Sequence, residues 1–153
     1  MLTPTQNQAI SEAAFQGMRI FYRSSTQTTP LCTQYNDKFY SGAVLTTVLL
    51  NRVANQVFLG VNKSKVLFHV RGNQVFDGPT DTKVLYTRSG NQLFEGPNLA
   101  RCLYNSKGNM LFLGVNQNIP VLNWHSKKQT LATLSTIDFA QLVWILQTKT
   151  KRR

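Results

Sequence analysis

Leu49, Leu67, Leu85 and Leu103 are spaced by 18 residues, as are Phe58, Phe76, Phe94 and Phe112, and Gly60, Gly78, Gly96 and Gly114. A period held this strictly is the mark of stacked supersecondary units, each too small to bury its own apolar face. The copies read VLLNRVANQVFLGVNKSK from residue 48, VLFHVRGNQVFDGPTDTK from 66, VLYTRSGNQLFEGPNLAR from 84 and CLYNSKGNMLFLGVNQNI from 102. Residues 30–47 keep Leu31, Tyr40 and Gly42 in register and form a fifth copy.

Within a copy, Gly72-Asn73, Gly90-Asn91 and Gly108-Asn109 separate two β-rich runs. Gly followed by Asn suits a two-residue type II′ turn, so each copy is one β-hairpin. Gly78-Pro79 and Gly96-Pro97 end the second strand and open the connection to the next hairpin. Phe21 and Tyr22 match the second half of a copy whose first half is missing, and Val121 and Leu122 match a first half without its second. The two halves predict a sixth hairpin, Ile20–Arg23 on Val121–Trp124, whose formation closes the array and removes its sheet edges.

The expected fold is therefore mainly β, with tandem 18-residue hairpins in about five and a half copies closing into a ring or barrel-like array, flanked by short N- and C-terminal helices. Thr3-Pro4 opens a helix over Gln6–Phe15. Ser135 or Thr136 caps another over Ile137–Gln147, with Asp138 on its dipole and Phe139, Leu142, Val143 and Leu146 on one apolar stripe expected to dock on the array. This divides the chain into an N-terminal helical segment 1–18, a repeat domain 19–125, a C-terminal helix region 126–148 and a basic tail 149–153. With a plain two-residue turn, the recurring Leu and Phe positions share the core face. The other face, with Val66, Phe68, Val75, Val84, Tyr86 and Leu93, is also apolar and calls for cover by a terminal helix or by a second copy of the chain.

The chain holds 17 Lys and Arg against 6 Asp and Glu, a net charge of +11, and the four cations of the tail account for only part of it. Such an excess points to anionic partners. Arg52, Arg71, Arg88 and Lys107 precede the turns, with Asn73 and Asn91 beside them. Lys65, Lys83 and Arg101 hold the last repeat position, at the opposite end. These nine residues are the candidate ligand-binding set. Arg52 and Arg88 hold the fifth repeat position and Arg71 and Lys107 the sixth, so strand alternation sends the two pairs to opposite faces.

No acid–base pair, activated nucleophile or metal cluster stands out. His69 and His125 lack Cys or acidic neighbours at ligand spacing, and Asp81 falls in a linker. Cys32 and Cys102 read as core thiols of a reducing compartment. No secretory pattern occupies Met1–Phe15, and the apolar run Leu142–Leu146 is too short to span a bilayer, which predicts a cytoplasmic protein with no membrane span.

The Gly-Asn-x-Val-Phe-x-Gly unit, at Gly72–Gly78 and with Leu for Val at Gly90–Gly96, resembles repeats of small bacterial and phage β-hairpin proteins over about residues 30–119. That resemblance supports the fold and, for a phage-encoded chain, places it in the bacterial host. The function expected is non-enzymatic capture of a phosphate-bearing ligand by a homo-oligomer without cofactor. The ligand is either a nucleotide, sequestered as in phage counter-defence proteins, or nucleic acid. A sugar-binding module and a protein–protein adaptor or inhibitor using the terminal helix are the alternatives.

Overall fold

The computed structural model describes residues 17–126 and 134–151. Its strands are β1 (Met18–Arg23), β2 (Pro30–Tyr35), β3 (Lys38–Ser41), β4 (Val48–Val53), β5 (Gln56–Leu59), β6 (Val66–Arg71), β7 (Gln74–Asp77), β8 (Val84–Ser89), β9 (Gln92–Glu95), β10 (Cys102–Lys107), β11 (Met110–Leu113) and β12 (Pro120–Ser126), followed by helix α1 (Thr136–Lys151). All pairings are antiparallel and sequential, and β1 pairs with both β2 and β12, so the strands close into a barrel. Phe21 lies opposite Trp124 and Tyr22 opposite Asn123, the split sixth hairpin expected from the sequence.

The hairpin turns have two residues, as at Arg71↔Gln74 and Ser89↔Gln92. Their first position takes a positive φ (Asn36 55°, Ala54 55°, Gly72 64°) and their second does not, the type II′ pattern. Between hairpins the register slips by one residue at every joint: Val57 faces Phe68, but Phe58 faces Val66, leaving Leu67 in a bulge. The same slip sets aside Leu31, Leu49, Leu85, Leu103 and Val121.

This bulge corrects the expected core. The bulged Leu side chains turn inward and pack against the central cluster, whereas Phe58, Phe76, Phe94 and Phe112 are buried outside that cluster. The lumen is lined by facing pairs, one per joint: Phe21 with Cys32, Phe39 with Leu50, Val57 with Phe68, Val75 with Tyr86, Leu93 with Tyr104 and Leu111 with Leu122. The face called the second one in the sequence is the interior.

The helix is also placed differently from the expectation. Rather than docking by one stripe, α1 is buried around its circumference over residues 136–146, where Trp144 alone is half-buried and Ile137, Phe139, Leu142, Val143 and Ile145 are each at most 1% exposed. It contacts β6 and β7, and its polar groups reach β1, β2 and β8, so it lies in the lumen. A helix apolar all round needs such an enclosure, and a barrel of twelve strands is wide enough to provide it. The helix runs to Lys151, past the expected boundary at 148. The segment expected as a helix over Gln6–Phe15 lies outside the described residues, as do Arg152 and Arg153.

Ser135 caps the helix, accepting the Asp138 N–H at 3.2 Å. Asp138 then anchors it: Arg19 Nη2 donates to Asp138 Oδ2 at 3.0 Å and to Gln34 Oε1 at 2.7 Å, and Gln34 Nε2 donates to Asp138 Oδ1 at 3.0 Å. Burial pulls the Arg19 pKa down while Asp138 pushes it up. At the other end Tyr86 donates to Gln147 at 3.0 Å, and its phenol is pushed up to about 12, first by burial. The helix N-terminus thus sits at the hairpin-turn end of the barrel and Gln147 towards the loop end.

Two outcomes test this architecture. Ala54 pays for a left-handed φ that glycine adopts freely, so Ala54→Gly raises stability by about 1 kcal/mol, or about 3 °C in Tm, in thermal denaturation. Arg19→Met strands a buried carboxylate and lowers stability by about 3 kcal/mol, most of which Arg19→Met with Asp138→Leu restores.

Candidate functional site

Two repeated fastenings shape the hairpin ends, the first in all six hairpins and the second at four of the turns. The first is on the outer face, at the position held by Thr33, Asn51, His69, Thr87, Asn105 and Asn123. Every one is buried, and each bonds the carbonyl of the residue closing its hairpin: Gly42 (2.8 Å), Gly60 (2.6 Å), Gly78 (2.6 Å), Gly96 (2.8 Å), Gly114 (2.7 Å) and Ser24 (3.0 Å). Asn51, Asn105 and Asn123 donate again, to the carbonyls of Asn62, Asn116 and Thr26, drawing the connecting loop against the barrel wall. Ser24, at φ 63°, takes the glycine's place in the split hairpin.

The second fastening uses the turn. Asn55, Asn73, Asn91 and Asn109 donate through Nδ2 to the carbonyls of Val70, Arg88, Ser106 and Trp124, and their own carbonyls accept the N–H of those same residues. Asn73 and Asn91, two of the candidate ligand residues, therefore clip one hairpin to the next.

The candidate cations separate by face, as alternation predicts. Arg52 points inward, is 6% exposed and donates to the Ala54 carbonyl at 2.6 Å. Arg88 also points inward, donating to the carbonyls of Gly90 (2.9 Å) and Leu134 (2.5 Å) and lying 5.6 Å from the Phe139 ring centroid. Both serve the helix-bearing interior. Arg71 is exposed and bonds Asp81, while Lys107 is exposed on the turn rim. Among the described residues the turn end thus carries no common ring of cations.

Lys65, Lys83 and Arg101 do gather at the opposite end, in three consecutive loops, where Lys63 joins them. Arg101 contacts the exposed Glu95 at 3.2 Å, a pairing of little energetic weight. Lys63, Lys65 and Lys83 have no ion-pair partner among the described residues. Between loops 61–65 and 79–83 lies a groove of about 740 Å³, lined by Asn62, Ser64 and Lys65 on one side and by Asp77, Gly78 and Pro79 on the other. Lys83 fixes the base of that second loop by accepting the Asp77 N–H on its carbonyl at 2.9 Å.

Sequence reasoning passed over Asp81 and left His69 unaccompanied; the fold brings them together. His69 Nδ1 meets the Gly78 carbonyl at 2.6 Å and Nε2 meets Asp81 Oδ1 at 2.5 Å, with the ring stacked on Phe76 at 5.3 Å. The Asp81 carboxyl is held below its ordinary range, first by the His69 hydrogen bond and then by that from Arg71. The carboxylate's part of that fastening is present above the ordinary carboxylate range and is lost as the pH falls through the lowered value. The aromatics Tyr86 and Trp124 are buried and Tyr104 half-buried, all in or against the central cluster.

A family model described as a 6-fold beta flower protein matches residues 8–135. The chain belongs to the 6-fold beta flower family. The six hairpins are the repeats of the flower, the sixth assembled from β12 and β1. No curated protein matches the chain, and no solved structure matches it. Among the described residues no helix is long and apolar enough to cross a membrane.

The repeated outer-face fastening predicts its own substitutions. His69→Asn keeps a donor of the kind used at Asn51 and Asn105 and leaves thermal stability within about 1 kcal/mol of the parent. His69→Val orphans the Gly78 carbonyl and costs about 2 kcal/mol, with faster amide exchange confined to residues 78–83.

Proposed function

We propose that this flower is a non-enzymatic binding protein that captures a nucleotide-sized, phosphate-bearing ligand at its loop end. The observation that carries the reading is Lys65 in the wall of the groove of about 740 Å³, opposite the one lining carboxylate Asp77, with Lys63 and Lys83 elsewhere on the two loops that bound it. That volume lies within the range of small-molecule sites. Asn62 and Ser64 add polar groups beside Lys65, and exposed ammonium groups suit a phosphate that arrives from solvent. The opposite end is a poorer candidate, because Arg52, Arg88, Asn73 and Asn91 are engaged in holding hairpins and helix. The adaptor reading through the terminal helix loses its surface, since Phe139, Leu142, Val143 and Leu146 face the lumen. The interior apolar face is covered by α1 from within the chain, so that face gives no reason to expect a second copy.

Binding of a fluorescent nucleoside triphosphate tests the proposal. Lys65→Ala with Lys83→Ala weakens it at least tenfold, the loss of about 1.4 kcal/mol, and leaves the melting temperature unchanged. Equal binding by parent and double variant would refute the site. A single-stranded oligonucleotide bound in preference to the triphosphate, with a steep salt dependence, would move the reading to nucleic acid.

A further inference from the structure

The loop end also carries an apolar ring that ligand capture leaves unused. The position after each closing residue is held in turn by Ser25, Ala43, Val61, Pro79, Pro97 and Val115, all exposed, with Val61 70% and Val115 62% accessible. Equivalent positions of six hairpins around one barrel axis stand at one level, so five of these six residues form an interrupted apolar annulus. Val44 and Ile119, on the same loops, are 60% and 56% exposed. Side chains of this kind rarely collect at one end of a protein unless something covers them.

Charge decides between the occupants. Within the same loops Lys63, Lys65 and Lys83 have no ion-pair partner among the described residues, whereas Asp81 is held by His69 and Arg71 and Glu95 by Arg101, so that Asp77 is the one carboxylate of this end left to set against the three lysines. A second copy stacked with these loops in apposition would set that excess of lysines against its own kind. An anionic lipid surface satisfies both components at once, with short apolar side chains entering the headgroup boundary and ammonium groups meeting lipid phosphate and carboxylate. We infer that the loop end of the flower is a docking face for an anionic membrane surface. The inference shares its cations with the proposed ligand site and draws its own support from the apolar ring.

Sedimentation of the full chain with vesicles tests it. Vesicles of phosphatidylcholine with phosphatidylserine at about one lipid in three bring the protein down, vesicles of phosphatidylcholine alone do not, and added salt weakens the association. Val44→Asp with Val115→Asp, on loops that do not border the groove, reduces sedimentation at least about tenfold while keeping the melting temperature and the triphosphate affinity of the parent. Lys65→Ala with Lys83→Ala weakens both kinds of binding. Failure to sediment with the anionic vesicles, or sedimentation indifferent to the two aspartates, overturns the docking face and leaves the triphosphate result to stand or fall by itself. A concentration-dependent dimer abolished by the aspartates also overturns it, giving the ring to a second copy.

Discussion

At every joint between hairpins one residue drops out of register, and the carbonyl it frees is taken by the N–H of the residue that closes the hairpin. Gly42, Gly60, Gly78, Gly96 and Gly114 bond the carbonyls of Leu31, Leu49, Leu67, Leu85 and Leu103 at 2.8–3.1 Å, and Ser24 bonds that of Val121 at 2.9 Å. A bulge of this kind bends a strand and turns its extra side chain out of alternation. Repeated six times, it curves the sheet onto itself and directs a second layer of leucines inward. The enclosed space takes a helix, and the closing residues, standing in the left-handed region, lead the chain out into the loops. Fold, lumen and loop end all follow from one backbone device.

The sequence makes the hairpins legible because their signals are local. A glycine or asparagine at the turn, an apolar–polar rhythm and a fixed period need no knowledge of what lies across the barrel. The split sixth hairpin was readable for the same reason, as two unpaired halves of one pattern. The bulge was not, because alternation counted without interruption puts Leu67 and Phe76 on one face, and a single skipped residue reverses one of them. The helix offered a signal that a one-stripe reading overlooked: Ile137, Ala140, Trp144 and Ile145 fill the face opposite Phe139, Leu142 and Leu146, so little of it is fit for water.

At the candidate site the division is similar. Alternation correctly separated Arg52 and Arg88 from Arg71 and Lys107, and the last repeat position correctly located Lys65, Lys83 and Arg101 at the far end. The partners of Arg52 and Arg88 were invisible because they are main-chain carbonyls, which every residue possesses. The outer-face fastening hid for another reason. Thr33, Asn51, His69, Thr87, Asn105 and Asn123 differ in identity while sharing a task, so a search for repeated letters passes them, whereas a search for repeated hydrogen-bonding capacity finds them.

A hairpin made from the two flanks of the repeat region imposes an order on assembly. During synthesis β1 emerges first and waits with one edge unsatisfied until β12, a hundred residues later in the chain, is available. The helix follows β12 and ends up enclosed by it, and a finished wall would require sixteen residues to thread through its mouth. The economical route is the reverse, in which an open, curved sheet gathers around the apolar helix and the last seam is sewn afterwards. The enclosed helix is then the mandrel on which the wall is wound.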